Sequence, residues 1–240
     1  MTAMPAARPA SPSGAAGGRR RASHSMQAVL DEAVALLDEA GEPALTFRAL
    51  AARLGGGVAS IYWYVASKDE LLDRAADHVL DRVLVDTQRF LDGPDPIDNL
   101  RGIGTTLFDA ICDRPWLGAY FLRDTGVQPN GFALYERVGQ QVLRLKLPPR
   151  ETFHAASAVI GFVVGIAADL GQTPPQAVLD GQLTRDQFTE RHAQQWRALD
   201  PEQYPFAHYI ADEFAHHDDA EQFRAGFDIL LAGLRLQAGS

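Results

Sequence analysis

The sequence predicts an all-α fold, and three observations carry that prediction. Apolar residues recur along most of the 240-residue chain at the i, i+3, i+4 and i+7 spacing of a helix. The residues after 95 show no convincing apolar–polar alternation with the period of two that is typical of a strand. Glycine and proline cluster between the periodic stretches, where they end one helix before the next begins. We expect a small helical head followed by a larger helical body.

Composition allows a sizeable core and indicates the kind of partner. Apolar residues make up 46% of the chain, and Cys112, its single cysteine, excludes an intrachain disulfide, as expected in a reducing cytoplasm. We expect Cys112 to be a buried, inert thiol. The formal net charge is −9, but residues 1–70 carry seven basic and seven acidic side chains, so the acidic excess lies in residues 71–240. A neutral head on an acidic body suits a protein that binds DNA with one half only.

The N-terminal tail, residues 1–22, consists largely of Ala, Pro, Ser, Gly and Arg and is predicted to be disordered. It lacks the apolar segment of a signal peptide. The three arginines at 19–21 have two interpretations, a basic arm that reaches DNA or a solvated tail. The first helix is then predicted from Ser23 or Ser25 to Ala40, because Gly41 follows.

The next stretch predicts two short helices joined by a tight turn. Behind Thr46, which can cap a helix, apolar side chains recur at i, i+3 and i+7 from Phe47. Three glycines at 55–57 end this helix, and a second short helix is predicted over residues 58–64. Two helices with this connection are the arrangement of a helix-turn-helix that reads DNA. The alternative is a compact helical hairpin whose aromatic side chains are simply packed.

A resemblance to the DNA-binding domain of the TetR family of transcriptional repressors is carried by the run LTFRALAARLGGGVASIYWYVASKDELLDRAADHVL. The segment IYWYV, followed by a lysine and a Leu-Leu pair, is similar to the tetracycline repressor branch in particular. The resemblance implies a helix-turn-helix domain over residues 23–69 and a ligand-binding and dimerisation domain over residues 70–240. It also implies a one-component regulator, a repressor, that binds a palindromic double-stranded DNA operator as a homodimer and is released by a small-molecule effector.

The resemblance assigns DNA contacts residue by residue. Thr46, Tyr62 and Lys68 match positions that contact phosphates, and Arg48 matches an arginine that reads a base. The base-facing positions are Val58, Ala59, Ser60, Trp63 and Tyr64. Val58 and Tyr64 replace polar readers of the tetracycline repressor, so we expect a different operator sequence.

The body is predicted to be helical throughout. Ser67 and Glu70 match a capping box that opens a long fourth helix, the connection between head and body in the family, and Gly93 with Pro94 ends it. The stretch 171–183 is predicted to be a flexible loop. Seven further helices are predicted near residues 96–113, 115–124, 130–146, 150–170, 184–198, 203–217 and 219–237.

Two helices of the body are expected in a dimer interface. Residues 155–168 are apolar nearly all round, and a run of fourteen is too short to span a bilayer, so this helix is expected to be buried on several sides. The last helix resembles the terminal dimerisation helix of the tetracycline repressor branch. A four-helix bundle across a twofold axis is therefore expected, with a monomer core as the alternative. The interface candidates are Val159, Gly161, Phe162, Gly165, Phe227, Leu230, Leu231 and Leu234.

A small-molecule pocket is expected in the aromatic-rich body. The positions that hold tetracycline and its magnesium in the resembling branch correspond to Leu84 and, with gaps, to Ile103 and Phe121, which lack that ligand chemistry. An apolar or aromatic effector is therefore expected, with no metal and no cofactor. The lining candidates are Leu84, Phe108, Trp116, Phe121, His154 and Phe162.

No catalytic site is predicted. The run His-His-Asp-Asp at 216–219 has metal-ligand residue types, but it is interpreted as the end of one helix and the N-cap of the next. The sequence contains no nucleophile elbow, dinucleotide-binding fingerprint, P-loop or HExxH motif. The alternative to a regulator is a helical small-molecule-binding protein or enzyme with a non-functional head. A cytoplasmic location without membrane contact is expected.

Overall fold

The computed structural model describes residues 24–123, 128–172 and 174–239. Over these ranges the chain forms twelve α-helices, one short 3₁₀-helix and no strand. The all-α prediction is therefore confirmed. The arginines at 19–21 and the rest of the predicted tail lie outside the described residues.

The head consists of α1 (Met26–Ala44), α2 (Phe47–Arg53) and α3 (Val58–Ile61). Ser25 caps α1 by accepting a hydrogen bond from the amide of Ala28 at 3.1 Å. Helical geometry inside α1 breaks at Gly41, whose φ of 69° lies in the left-handed region that glycine favours. This break falls where the sequence predicted the end of the first helix.

The second helix of the pair is shorter than predicted. α3 ends at Ile61, and the next three residues form a turn rather than a further helical turn. The amide of Tyr64 donates to the carbonyl of Ile61 at 2.9 Å, a closure one residue tighter than that of an α-helix. Ile61 and Val65 both face the core, as their spacing predicted.

The fourth helix, α4 (Lys68–Thr87), connects head and body and packs against α1 on one side and against body helices on the other. The Ser67 hydroxyl accepts from the amide of Glu70 at 3.0 Å. The Glu70 carboxylate accepts from the amide of Ala66 at 2.7 Å, where a capping box would use Ser67 itself. Ser67 and Glu70 therefore form a reciprocal cap, but the second hydrogen bond comes from Ala66, one residue before the N-cap.

The body begins after a 3₁₀-helix at Gln88–Phe90. Five of its helices have a proline in the first turn, a position where the missing N–H costs nothing, and this explains why their starts were predictable. The short α9 was not predicted, since it lies inside the expected loop. The body helices are α5 (Pro96–Cys112), α6 (Pro115–Phe121), α7 (Pro129–Leu143), α8 (Pro149–Leu170), α9 (Gln176–Leu179), α10 (Arg185–Arg197), α11 (Pro205–His216) and α12 (Asp219–Ala238).

The core of the body lies where α5, α8 and α12 meet. The rings of Phe108 and Phe223 stack with centroids 3.7 Å apart, and Phe162 stacks on Phe227 at 5.8 Å. A Cβ atom on Gly104 of α5 would lie 2.5 Å from the Phe227 ring, so only glycine permits this approach of α5 and α12. The phenylalanines of this cluster consequently pack against each other, and Phe108 also lines a groove beside Cys112 and Pro115.

The length of α8 corrects the argument against a membrane span. α8 has 22 residues, as the prediction of a helix near residues 150–170 implied, and is longer than the fourteen-residue apolar run on which that argument rested. By length and composition it is the one helix of the described ranges that could cross a membrane. In this fold α8 packs against α5, α6, α7 and α12, with Val159, Val163 and Ala167 buried. Such a core helix passes the same compositional test as a membrane span.

Helices α10 and α11 pack mainly against each other and are inserted between α8 and α12. Trp196 of α10 stacks on Phe214 of α11 with centroids 4.1 Å apart. On the opposite side of α11, Tyr209 is 87% exposed. The pair therefore lies beside the body core rather than within it.

Candidate functional site

The turn after α3 presents aromatic side chains to solvent. Trp63 is 86% exposed, and Tyr62 and Val58 are exposed as well. The ring of Tyr62 meets Phe47 edge-on with centroids 4.8 Å apart, and this contact holds the end of α3 beside the start of α2. Large apolar side chains that are exposed together on a small domain indicate a binding surface.

The start of α2 adds polar groups to the same region. Thr46 is exposed and accepts from the amide of Ala49 at 3.1 Å, which leaves its hydroxyl proton to donate elsewhere. Arg48 and Ala59 are exposed, and Ser60 is half-buried with its hydroxyl donating to the Gly57 carbonyl at 2.6 Å. We call the exposed side chains of Thr46, Arg48, Val58, Ala59, Tyr62 and Trp63 the α2–α3 surface.

Two candidate DNA contacts lie differently from their expected places. Tyr64 is half-buried, and its hydroxyl donates to the backbone carbonyl of His24, so in this structure the hydroxyl is engaged within the head, and its contact with a base stays a prediction. The Lys68 ammonium donates to the carbonyl of Glu42 at 3.0 Å and lies 3.8 Å from the Glu42 carboxylate. In this structure Lys68 therefore ties the end of α1 to the start of α4.

Charge on the head is mostly neutralised by internal pairs. Arg53 donates to Glu39 in bidentate fashion, with one N···O distance of 2.9 Å, and lies 3.7 Å from Glu32. The hydrogen bond from Arg53 lowers the pKa of the Glu39 carboxyl below its usual value. Among the lysines and arginines of residues 24–69, Arg48 alone has no acidic partner. The α2–α3 surface thus carries one free guanidinium.

Helix α6 joins the body to the head. The indole N–H of Trp116 donates to Asp38 Oδ1 of α1 at 2.7 Å. Arg114 Nε lies 3.3 Å from Asp38 Oδ2, within ion-pair distance but outside hydrogen-bond geometry. Arg123 pairs with Glu42, and its hydrogen bond lowers the pKa of that carboxyl. We call these five side chains the α1–α6 junction.

An apolar cavity of about 250 Å³ lies among α4, α5, α6, α7 and α8. Its walls are aromatic on the side of α6 and α7 and aliphatic on the side of α4, α5 and α8. A pocket of this kind, apolar with a few polar groups, is the usual form of a small-molecule site. The lining residues are Asp77, Leu80, Leu107, Tyr120, Phe121, Gln128, Gly131, Phe132, Leu134, Tyr135, Ile160 and Val164.

Asp77 joins α4 to α7 at the edge of this cavity. Its Oδ1 accepts from the backbone amides of Asn130 at 2.7 Å and Gly131 at 3.2 Å, the first turn of α7. The Asn130 side chain donates back to the Asp77 carbonyl at 2.9 Å. A carboxylate at a helix N-terminus is stabilised there by the free amides and the helix dipole. The cavity therefore touches both connections to the head, α4 and α6.

Of the six predicted lining residues, the structure places Phe121 in the apolar cavity. Trp116 belongs to the α1–α6 junction, and Phe108 and Phe162 pack in the phenylalanine cluster. Leu84 packs partly buried against the core, and His154 is exposed. The residues that sequence reasoning missed, such as Leu80 and Leu107, show only ordinary helical periodicity and carried no signal that separates a cavity wall from a core.

The predicted interface residues divide into two sets. Gly161 and Gly165 are exposed on α8, and a Cβ atom added at either would meet nothing within 4 Å. Phe162 and Leu230 are half-buried, and the outer face of α12 also exposes Ile229. The other four candidates are corrected to core residues, because the protomer itself buries them: Val159, Phe227, Leu231 and Leu234.

The histidine-rich run ends one helix and precedes the next, as predicted. Nδ1 of His216 lies 3.0 Å from the Asp212 carbonyl in the last turn of α11. Asp218 caps α12 by accepting from the amide of Glu221 at 2.7 Å. Within the described part of the chain, no group of three or more His, Cys, Asp or Glu side chains could hold a metal ion.

The single thiol is expected to react slowly. Burial, and then the charges of Asp109, Asp113 and Asp219, raise the pKa of Cys112 from 9.0 to about 11. Thiol reagents attack the thiolate, so at pH 8 the folded protein should react about 100-fold more slowly than the unfolded chain. The rate of alkylation of Cys112 checks this prediction, measured by stopping the reaction at intervals and determining the mass of the protein. Equal rates for the two states would contradict the raised pKa.

Two family descriptions cover most of the chain. Residues 29–75 match "Bacterial regulatory proteins, tetR family" and residues 92–238 match "Tetracyclin repressor-like, C-terminal domain". The chain belongs to the TetR family of transcriptional regulators. The predicted resemblance is thereby confirmed, and the helix-turn-helix of this TetR-family chain is the DNA-binding element that the family shares.

Relatives of this TetR-family chain agree with the assignment. A solved TetR transcriptional regulator from Streptomyces coelicolor is 34% identical with a TM-score of 0.74, covering 88% of this chain and 97% of that one. An HTH-type transcriptional regulator from Saccharopolyspora erythraea is 31% identical over 137 residues, 57% of each protein. An HTH-type transcriptional repressor from Mycobacterium tuberculosis is 26% identical over 151 residues, which are 61% of this chain. The matches span 57% and 58% of the lengths of these two curated relatives.

A more distant structure shows the fold alone. ActR from Streptomyces coelicolor, solved in complex with actinorhodin, is 22% identical with a TM-score of 0.74 and covers 90% of this chain. It shares the TetR architecture of a small helical head on a helical body. The division of this chain between residues 69 and 70 stays a prediction.

Proposed function

We propose that this chain is a one-component repressor, which binds a palindromic operator as a homodimer and is released by a small-molecule effector. The observation that carries the proposal is the connection of an exposed α2–α3 surface to an apolar cavity through both α4 and α6. A cytoplasmic, non-enzymatic role goes with it. The Mycobacterium tuberculosis relative is named a repressor, and ActR was solved with a small molecule, which supports the same reading.

The α2–α3 surface supplies the chemistry for reading DNA. A short helix with small residues at its start, here Val58 and Ala59, can enter a major groove and contact thymine methyl groups. Arg48 can bind the O6 and N7 atoms of guanine in bidentate fashion, because no acidic side chain in the described part of the chain pairs with it. Thr46 and Tyr62 lie at the rim, where their hydroxyls can donate to phosphates.

A homodimer places two such heads on one operator. One short helix reads only a few base pairs, and two recognition helices about 34–36 Å apart read a palindrome. The outer faces of α8 and α12 suit the interface. Gly161 and Gly165 allow close backbone approach, while Ile229 and Leu230 supply apolar area.

Release follows from the position of the cavity. A ligand that contacts Tyr120 and Phe121 acts on α6, whose other end holds Asp38 of the head. A ligand that contacts Asp77 acts on α4. The protein would have one conformation in which the spacing of the two heads fits the operator and another in which it does not. A ligand that binds the second conformation more tightly by a few kcal/mol releases the protein from the operator.

Two substitutions on an operator series test the proposal. With the DNA that flanks its own gene as operator, Arg48→Ala should cost about 1–3 kcal/mol per head and relax specificity at one base pair of each half-site. Lys68→Ala should weaken all operator variants alike, because Lys68 acts through Glu42 or a phosphate rather than a base. Fluorescence anisotropy with single-base operator variants provides the measurement, and melting temperatures control for folding.

The same anisotropy assay distinguishes the proposed repressor from the alternative function. Identical behaviour of the two variants would contradict the assigned roles. Absence of DNA affinity even at low salt would favour a small-molecule-binding protein or enzyme with a non-functional head.

A further inference from the structure

We infer that the effector is a compact aromatic molecule of about two fused rings that carries a hydrogen-bond donor and no negative charge. It binds in the 250 Å³ cavity with its donor on Asp77. That this ligand acts as an effector rests on the proposed function, whereas its chemistry rests on the cavity alone.

The volume of the cavity sets the size of the ligand. An engineered apolar protein cavity of roughly 150 Å³ is known to hold one benzene molecule. A cavity of about 250 Å³ is larger by roughly one further fused ring. A four-ring ligand would not fit without movement of α6 or α7.

The walls select an aromatic ligand. Tyr120 and Phe121 of α6 lie on one side, and Phe132 and Tyr135 of α7 lie on another with their rings 6.3 Å apart. Phe132 is more than half exposed although it is a large apolar residue. A flat ring between these side chains would gain offset or edge-to-face contacts and would remove Phe132 from water.

The charge of the lining excludes an acid. Among the lining residues that the structure describes, none is a lysine, arginine or histidine, and Asp77 is the one carboxylate. An anionic ligand would lose its hydration, would gain no cation and would face the Asp77 charge. Three larger grooves of the described chain each hold an arginine and several carboxylates, so their chemistry differs from that of this cavity. One of them is also lined by Asp77, which therefore borders both that polar groove and the apolar cavity.

Asp77 defines the polar end of the site. Its Oδ1 is occupied by the amides of Asn130 and Gly131, whereas no described group donates to Oδ2. A hydroxyl or ammonium group of the ligand would complete that acceptor. Hydrogen bonds to charged groups favour the donor-bearing ligand over its parent hydrocarbon by about 10- to 100-fold.

A matched series of probes tests the inference on the full-length protein as purified. Naphthalene, 2-naphthol, 2-naphthylmethylamine and 2-naphthoate share one ring system and differ in the group that would meet Asp77. By calorimetric titration, 2-naphthol or the amine should bind at least about 10-fold more tightly than naphthalene, and 2-naphthoate more weakly than either. The comparison of naphthol and amine tells which donor the site prefers.

Two variants locate the binding. Asp77→Asn keeps an acceptor for the α7 amides and should abolish the preference for the donor while naphthalene binds as before. Ile160→Trp fills the cavity and should remove binding of every probe. Tyr209→Ala, on α11 and away from the cavity, should bind all probes as wild type does. Circular dichroism spectra and melting temperatures verify that each variant is folded.

Either of two results would overturn the inference: tightest binding of 2-naphthoate, or unchanged binding to folded Ile160→Trp. If the probes bind as expected but do not change operator affinity, the cavity chemistry stands and the proposed release by effector fails. If they bind and weaken operator binding, both are supported.

Discussion

Replacing Trp63 with alanine should weaken operator binding by at least about 30-fold and leave the melting temperature unchanged. The indole is 86% exposed, so its loss removes no core packing, and exposed substitutions usually change the free energy of unfolding by less than about 0.5 kcal/mol. A base contact is worth about 1–3 kcal/mol per head, and the proposed dimer would lose it twice. Two times the smaller value corresponds to about 30-fold in the dissociation constant.

Tyr209→Ala is the matched control for this substitution. Tyr209 is 87% exposed, on α11 rather than on the head, and its removal should change neither DNA binding nor stability. Anisotropy titrations and thermal melts of both variants give the comparison. An equal loss of DNA affinity in the two variants, or wild-type affinity in Trp63→Ala, would remove Trp63 from the DNA-binding surface.

Disrupting the α1–α6 junction should uncouple the effector from the operator. Asp38→Ala removes the acceptor of the Trp116 indole and the ion partner of Arg114 in one step. Allosteric couplings are typically about 5- to 150-fold, and we expect the ratio of operator dissociation constants with and without effector to fall toward one. Trp116→Phe, which removes only the N–H donor, should give an intermediate ratio.

Glu39→Ala serves as the control for the junction. Glu39 neighbours Asp38 in sequence, but its carboxylate pairs with Arg53 inside the head rather than with a side chain of the α1–α6 junction. Its coupling ratio should equal that of the wild type. The measurement is a pair of operator titrations for each variant, with and without the compound that raises the melting temperature most in a ligand screen. If Asp38→Ala leaves the ratio of operator dissociation constants unchanged, the coupling between effector and operator would be assigned to α4 and Asp77 instead.

Local signals in the sequence predicted most helix boundaries. Ser25, Thr46 and Asp218 each cap the helix that their position indicated, because a cap depends only on the next three residues. Prolines in first turns marked further starts for the same reason. The short α9 was missed because a four-residue helix has too few positions to show periodicity.

Contacts between distant residues were not predictable in this way. Apolar periodicity correctly predicted α12 as a helix. It did not predict that Phe227 and Leu231 would be buried in the core of the protomer while Ile229 would be exposed. Trp116 was assigned to the cavity because it is aromatic, yet its partner Asp38 lies 78 residues away. Such pairings depend on how helices cross, which no single helix encodes.

The internal pairing of Arg53 and Lys68 has a consequence for how the protein searches a genome. Each phosphate neutralised by a basic side chain releases counterions and adds about one unit to the salt slope of binding. With one unpaired guanidinium, the described head gains little from this sequence-independent attraction. For the proposed dimeric repressor, we therefore expect the described head to contribute little to binding at random chromosomal sites, so that a small pool of molecules keeps the correct site occupied.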